Sequence, residues 1–366
     1  MEPIRVLQVV TYMGRGGLET MLMNYYRRMD RERVQFDFLT HRQFRADYDA
    51  EIEALGGKIY HLPRLVPWSV SYRRALDDFF RTHPEYRIVH VHQDCLSGVI
   101  LKAAKKYGVP VRLAHSHNSS QDLNLRYLIK MFYMRQIPRY ATQLFACGKK
   151  AGDWMFRGAP YRVLNNAIDA NNYAFDLGQR RQIRESLGIP EGTFVVGHVG
   201  RFHPQKNHTF LLDVFRELQK KTNAVLLLVG NGDLRSDMEK KAAELHIADR
   251  VIFTGVRNDV PYLMQAMDCF VFPSLYEGLP VTMIEAQASG LPCVVSNAVP
   301  MECDVTGLVT YVSLKEETSV WAECVMKQAS VPRCDKVEQI ICEGYDIAAN
   351  SLWLQNYYLQ QWERNA

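Results

Sequence analysis

Asp268-Cys-Phe-Val-Phe-Pro-Ser-Leu-Tyr-Glu277-Gly-Leu-Pro280-Val-Thr-Met-Ile-Glu285-Ala-Gln-Ala-Ser-Gly290-Leu-Pro-Cys-Val-Val295 contains a whole supersecondary unit. The apolar run Cys269 to Phe272 reads as a buried strand, and Pro273 and Ser274 end it. Glu277 and Gly278 fall in the loop that follows. Leu279 precedes a proline and is pushed out of helical geometry. Pro280 suits a first helical position, where its missing N–H costs nothing. The pattern predicts a helix from Pro280 to Gly290 and a second strand from Pro292 to Val295. Strand, loop, helix, strand is a βαβ unit. Its helix begins at the carboxyl ends of the strands, where open α/β sheets bind ligands.

The free N–H groups of Val281, Thr282 and Met283 make an anion site there, strengthened by the helix dipole. Two carboxylates flank it. Glu277 lies in the loop, and Glu285 about 7 Å further along the axis, at about 1.5 Å per residue. Carboxylates accept hydrogen bonds from vicinal hydroxyls, so an anion cradle between two of them suits a nucleotide sugar. The spacing alone fits a buried helix with two incidental glutamates equally well.

The rest of the chain sets the context. Its 366 residues suit two domains of ordinary size. An apolar fraction of 47% and a charged fraction of 23% are globular. The net charge of +4 is too weak to argue for nucleic acid, and fits an anionic ligand or an anionic membrane surface. None of the eight cysteines forms a C-x-x-C pair, so zinc knuckles and thioredoxin-type motifs are unsupported. The first residues enter a strand at once and do not read as a signal peptide. No apolar run approaches the ~20 residues that span a bilayer. A reduced, cytoplasmic protein is expected.

Along the first half, strands are predicted at Arg5–Val10, Val34–Thr40, Lys58–Leu62, Ile88–His92, Val111–His115 and Thr142–Ala146, the last of that half. Helices alternate with them, which implies a mostly parallel sheet covered on both faces. Gly14, Gly16 and Gly17 form a turn between the first strand and a helix, where phosphate can meet bare backbone. It is neither a dinucleotide fingerprint, since Glu19 holds the third glycine position, nor a P-loop. Two H-x-H pairs, His90/His92 and His115/His117, each place both rings on one face of a strand, and either pair has metal-ligand spacing. The barrel metallohydrolases that use such a pair need further ligands and eight repeats, which this chain lacks, so no metal is expected. Residues 124–139 place Arg126, Lys130 and Arg135 on one side of a helix, with Leu128, Met131 and Phe132 between them. This reads either as a basic amphipathic helix on an anionic membrane or as a surface helix with a core face.

The alternation restarts in the second half. Phe194–Gly200 is a strand, followed by Arg201-Phe-His-Pro-Gln-Lys206-Asn207 and a helix. Val225–Val229 leads into the tight turn Gly230-Asn231-Gly232-Asp233, and Val251–Thr254 ends at Gly255. The final helix, 348–362, carries Leu352, Trp353, Tyr357, Leu359 and Trp362.

Glu277-x7-Glu285 with Gly278-Leu279-Pro280 inside resembles the signature of retaining GT-B glycosyltransferases, most closely the GT4 family (glycosyl transferases group 1). The G-R-x-x-x-x-K-N run ending at Lys206 and Asn207, the Ala-H-x-H run at His115–His117 and the Gly16-Gly17 pair match the same family. The resemblance implies an α/β fold of two Rossmann-like doubly wound domains facing each other across a cleft. Residues 1–168 would bind the acceptor and residues 169–345 the nucleotide sugar, while residues 346–366 would form a helix crossing back to the first domain. It assigns Arg201, Lys206, Gly16 and Gly17 to the diphosphate, and His117 and Glu277 to the donor sugar. Gly278, Leu279, Pro280 and Val281 belong with the donor-binding backbone. Glu285 would take the ribose, the backbone of Val256, Arg257 and Asn258 the nucleobase, and Asn231 is counted with the donor-binding residues. Glu277, His117, Arg201 and Lys206 are the catalytic candidates. Fixed cations beside the leaving diphosphate stabilise growing negative charge without a metal. No cofactor or metal is implied, only the co-substrate, a UDP-sugar by expectation. The acceptor would be a glycan or lipid-linked hydroxyl in cell-surface polysaccharide synthesis.

The family's glycine-rich loop is replaced by Val299-Pro300-Met301-Glu302, which leaves donor-sugar contacts there open. Three rivals remain: a two-carboxylate glycosidase, a nucleotide-sugar or sugar-phosphate epimerase or synthase on the same fold, and a non-catalytic nucleotide-binding assembly protein.

Overall fold

The computed structural model describes residues 2–118 and 127–365. The chain forms two compact units. One comprises Met1–Ala167 with Ile347–Ala366, the other Ile168–Asp346.

The first unit is built on seven strands: β1 (Ile4–Val9), β2 (Val34–Thr40), β3 (Ile59–His61), β4 (Ile88–Val91), β5 (Val111–Ser116), β6 (Gln143–Ala146) and β7 (Arg162–Val163). All pair in parallel, in the order β3-β2-β1-β4-β5-β6-β7. The strands are near-continuous apolar runs because helices cover both faces. On one face Leu7, Val9 and Val91 meet Leu76, Phe79 and Leu101. On the other, Val6, Phe36 and Ile88 meet Tyr26 and Tyr358. Asp37 is fully buried in β2, and its charge is balanced by Arg5 at 2.5 Å and by the Tyr86 hydroxyl at 2.7 Å. The last helix, Ile347–Arg364, docks its aromatic face in this unit. Trp353 and Tyr357 lie edge-on to Phe145, and Arg162 and Arg87 sit over the Trp353 and Trp362 rings.

The second unit has six parallel strands: β8 (Phe194–Val199), β9 (Ala224–Val229), β10 (Val251–Gly255), β11 (Cys269–Phe272), β12 (Cys293–Ser296) and β13 (Val309–Val312). Their order is β10-β9-β8-β11-β12-β13. In each sheet the winding reverses next to its first strand, between β1 and β4 and between β8 and β11. Successive loops diverge at such a point and leave room for a ligand. Asp268, at the start of the decisive stretch, is tied to the Val195 N–H at 2.7 Å and to the Arg184 and Arg180 guanidinium groups.

Several local expectations need correction. The helix after Glu277 spans Val281–Ala288, so it is shorter than the predicted 280–290. Pro280 is its N-cap and not its first helical residue, because its ψ of 122° is extended; its carbonyl already accepts the Met283 N–H at 3.1 Å. That leaves the Val281 and Thr282 amides as the open pair. Two edge strands were not anticipated: β7, two exposed residues that show no period, and β13, a four-residue run with three half-buried positions. The 124–139 stretch divides into helices Tyr127–Met134 and Ile137–Tyr140, since Pro138 opens a new helix and cannot continue the old one. Arg126 lies outside the described residues. All eight cysteines are free thiols. Among the described residues no helix is long and apolar enough to cross a membrane.

Candidate functional site

In the second unit, β8, β9, β10 and β11 deliver their loops to one edge of the sheet. Packing holds these loops close. The Gly230 N–H donates to the Gly255 carbonyl at 2.9 Å, and the Phe202 N–H to the Asn231 carbonyl at 3.0 Å. Gly230 and Gly232 have φ of 138° and 159°, and a Cβ on either would strike the backbone of Gly200 or Phe202. Only glycine permits that approach.

The loop after β8 is latched to the loop after β11. The Leu275 N–H donates to the Gln205 carbonyl at 2.8 Å, and the Gln205 amide donates to the Tyr276 carbonyl at 2.9 Å. This brings Lys206 to Glu277. Lys206 Nζ donates to Glu277 Oε1 at 2.7 Å and lies 4.6 Å from the centre of the Phe272 ring. Glu277 is only 6% exposed. Gly278, Leu279, Pro280 and Val281 follow it directly into the helix N-terminus, so a carboxylate, an ammonium and open backbone amides occupy one place.

The remaining candidates differ in how firmly they are held. Arg201 is exposed and only loosely paired with Asp233, at 3.8 Å, so its guanidinium is available to an anion. Asn231 is exposed, and its side chain accepts from the Gly232 N–H at 2.9 Å. Val256 is exposed, and Arg257 is paired through two bonds with Asp259 at 2.6 and 2.8 Å. Arg257 therefore offers its backbone more readily than its side chain. Glu285 is buried, and burial pushes its pKa up to about 7 despite a hydrogen bond from Tyr173.

Gly16, Gly17 and His117 belong to the first unit. Gly16 is the N-cap of the helix Gly17–Arg28. A Cβ on Gly16 would lie 2.3 Å from the Glu19 carboxylate, so a side-chain anion already rests at this helix start. His117 is half-buried, and its Nε2 lies 2.8 Å from His92 Nδ1. Burial pushes its pKa down to about 3, so the ring is neutral.

Sequence reasoning passed over several polar groups at these edges. Asp94 follows β4 with φ of 44°, accepts from the Asn118 amide at 2.9 Å, and is pushed by burial up to about 6. Its place directly after the His-x-His strand was a readable signal. Gln205 was hidden because its role is a latch to a distant loop. His198 lies under Gly200, with Nδ1 on the Val271 carbonyl at 2.9 Å and Nε2 unpartnered.

The chain matches the family profile described as Glycosyltransferase Family 4 over residues 15–172, and that described as Glycosyl transferases group 1 over residues 179–308. It is 38% identical to the "Putative glycosyltransferase EpsF" of Bacillus subtilis (strain 168), over 97% of this chain and 96% of that one. It is 29% identical to the UDP-Gal:alpha-D-GlcNAc-diphosphoundecaprenol alpha-1,3-galactosyltransferase of Escherichia coli, over 58% of each. Among solved structures, Anabaena Alr3699/HepE in complex with UDP has a TM-score of 0.78 at 18% identity, over 97% of this chain and 100% of that one. That last likeness is one of fold, the GT-B fold.

Proposed function

The chain belongs to glycosyltransferase family 4, the group 1 glycosyl transferases, and on that premise we propose that it moves a sugar from a UDP-sugar to a hydroxyl of a lipid-linked glycan, with retention, in cell-surface polysaccharide assembly. The observation that carries this reading is the Lys206–Glu277 pair at the start of the helix Val281–Ala288. The UDP named with HepE and the diphosphoundecaprenol acceptor named for the E. coli relative support the choice of donor and acceptor.

The chemistry follows from charge. As the bond between the sugar C1 and the β-phosphate oxygen breaks, negative charge grows on the diphosphate. Arg201, Lys206 and the Val281 and Thr282 amides meet that charge, which makes a metal unnecessary for this step. Glu277 fixes the Lys206 ammonium and accepts from a sugar hydroxyl. Glu285 takes the ribose hydroxyls, and the backbone of Val256 and Arg257 the base. In the first unit, Gly16 and Gly17 are candidates for the diphosphate and His117 for the sugar. We assign no enzymatic nucleophile. The acceptor oxygen attacks C1 on the leaving-group face, and its proton passes to the departing phosphate oxygen.

We also propose a cytoplasmic setting with peripheral contact to an anionic membrane, where a lipid-linked acceptor resides. Leu128 and Phe132 on the helix Tyr127–Met134 are 78% and 62% exposed, with Lys130 between them. That is an unusual amount of apolar surface for water and a suitable one for a lipid interface.

The test incubates the protein with radiolabelled UDP-sugars and undecaprenyl-diphosphate-linked acceptors, with and without chelator, and reads the anomeric configuration of the product by NMR. Labelled lipid with the donor's configuration supports the proposal. An epimerised nucleotide sugar without transfer favours the epimerase reading instead.

A further inference from the structure

The two His-x-His pairs remain unused by the chemistry above, apart from His117. β4 and β5 are neighbours, and their register sets His90 opposite Leu113. His90, His92 and His115 therefore face the same side of the sheet. All three are buried, and one ring nitrogen from each lies within 4.8 Å of the others. The His115 ring is 5.4 Å from that of His90, 5.3 Å from that of His92 and 4.1 Å from that of His117.

The hydrogen bonds around this cluster constrain the ring tautomers. The Gln8 amide nitrogen donates to the Tyr358 oxygen at 3.3 Å, and that oxygen also shares a 2.7 Å hydrogen bond with His90 Nδ1, whose donor is set by the His90 tautomer. The Gln8 amide oxygen can only accept, so His92 Nε2 carries a proton toward it at 3.0 Å. His92 Nδ1 is then a lone pair, which accepts from His117 Nε2. Among the described residues, His90 Nε2 and both nitrogens of His115 have no hydrogen-bond partner. Buried polar nitrogens are nearly always satisfied, and three orphans in one cluster need an explanation.

We propose that His90, His92 and His115 bind one divalent transition-metal ion of the zinc, cobalt or nickel class. Imidazole suits those borderline ions, while an all-nitrogen set is wrong for magnesium or calcium. The ion would satisfy nitrogens that otherwise lack partners. Two of the ligands are already tethered through their other nitrogen, His90 by Tyr358 and His92 by Gln8, which is how metal-binding imidazoles are usually oriented. In the metal-bound form His90 donates from Nδ1 to the Tyr358 oxygen and presents the Nε2 lone pair to the ion. Metal–nitrogen bonds of about 2.0–2.1 Å require small ring rotations that draw the three nitrogens together. Half-buried His117 lies beside the three rings. Its present partner, His92 Nδ1, becomes a ligand, so that hydrogen bond is given up and His117 stays available to the donor sugar.

The experiment dialyses the chelator-treated full-length protein against ZnCl2 or CoCl2 and counts bound metal by mass spectrometry. The expected result is about one ion per chain, a nitrogen-only first shell by X-ray absorption, and a raised melting temperature. His115→Gln and His90→Gln should each weaken binding by more than about tenfold. His246→Asn, at an exposed turn with φ of 56°, should leave it unchanged. If the two cluster variants fail to fold, the absorption spectrum of the wild-type protein decides alone. No stoichiometric uptake, uptake undiminished in the folded cluster variants, or oxygen ligation by surface carboxylates overturns the proposal.

Discussion

Lys206 Nζ and Glu277 Oε1 lie 2.7 Å apart although 71 residues separate them in the chain. The side chains are 18% and 6% exposed, so this is a largely buried ion pair. Removing one partner leaves the other charge uncompensated. Lys206→Ala should destabilise the second unit by about 3–5 kcal/mol in urea unfolding. Glu277→Gln keeps the shape and should cost less stability, while transfer falls by about 10²–10³-fold. A Glu277→Gln protein with full transfer rates would remove Glu277 from the chemistry.

Gly17 separates a role in ligand binding from a role in folding. A Cβ there meets nothing within 4 Å. Alanine inside a helix is also favoured over glycine by about 1 kcal/mol. Gly17→Ala should therefore hold or raise the melting temperature while weakening UDP-sugar binding in calorimetry. Unchanged affinity would exclude a close approach of diphosphate to this turn.

Glu285 predicts a pH effect of defined sign. Its folded pKa is raised by burial from 4.5 to about 7, opposed by the Tyr173 hydrogen bond. The folded state thus holds a proton that the unfolded state has released. The group's stability contribution is full below pH 4.5 and lost as pH rises through 7, a difference of about 3 kcal/mol. Glu285→Gln should stabilise the protein at pH 8 and change it little at pH 5. UDP affinity should rise from pH 6 to 8 in the wild type, because the ionised carboxylate is the better acceptor for ribose hydroxyls. That rise should flatten in Glu285→Gln.

His41 acts in the opposite direction. Burial lowers its pKa to about 4, although Nδ1 is 3.0 Å from the Val10 carbonyl. The unfolded state takes up a proton below pH 6.5 that the folded state refuses until about 4. Stability is present above pH 6.5 and falls as the solution is acidified, by up to about 3 kcal/mol from this group. His41→Gln should flatten the pH dependence of the urea midpoint between 6.5 and 4. An unchanged slope would place the acid sensitivity elsewhere.

The helix Tyr127–Met134 exposes Leu128 and Phe132 while burying Met131 and Met134. The wild-type protein should float with vesicles containing phosphatidylglycerol and stay behind with neutral ones. Leu128→Asn with Phe132→Asn should abolish flotation without moving the melting temperature. Equal behaviour with both vesicle types would identify an ordinary surface helix.

The alternation of apolar runs with glycine and proline punctuation made both sheets legible except for their edge strands β7 and β13. Strand existence is a local property, so β2, β8, β9 and β11 lie where their composition puts them. The ends of elements were less legible. Pro280 is an N-cap because its ψ is extended, a choice its ring leaves open since it fixes only φ, and β7 is too short to carry a pattern. At the candidate site, residue types in Arg201–Asn207 and Glu277–Glu285 were informative because glycine, proline and charge at strand ends have few other uses. Gln205, Asp94 and His198 were not, since each is defined by a partner in another loop or by the space beneath one.

The amino-acid order alone settled two α/β halves, their parallel strands and the loops that carry charge, because φ/ψ preference and hydrophobic period act over a few residues. Tertiary structure decided which of those charges meet. Lys206 is spent on Glu277 while Arg201 stays open, Glu285 is buried against Tyr173, and Tyr358 reaches His90 across 268 residues. Such contacts follow from packing whole elements together. Burial and partner, rather than residue type, then set the protonation of each group.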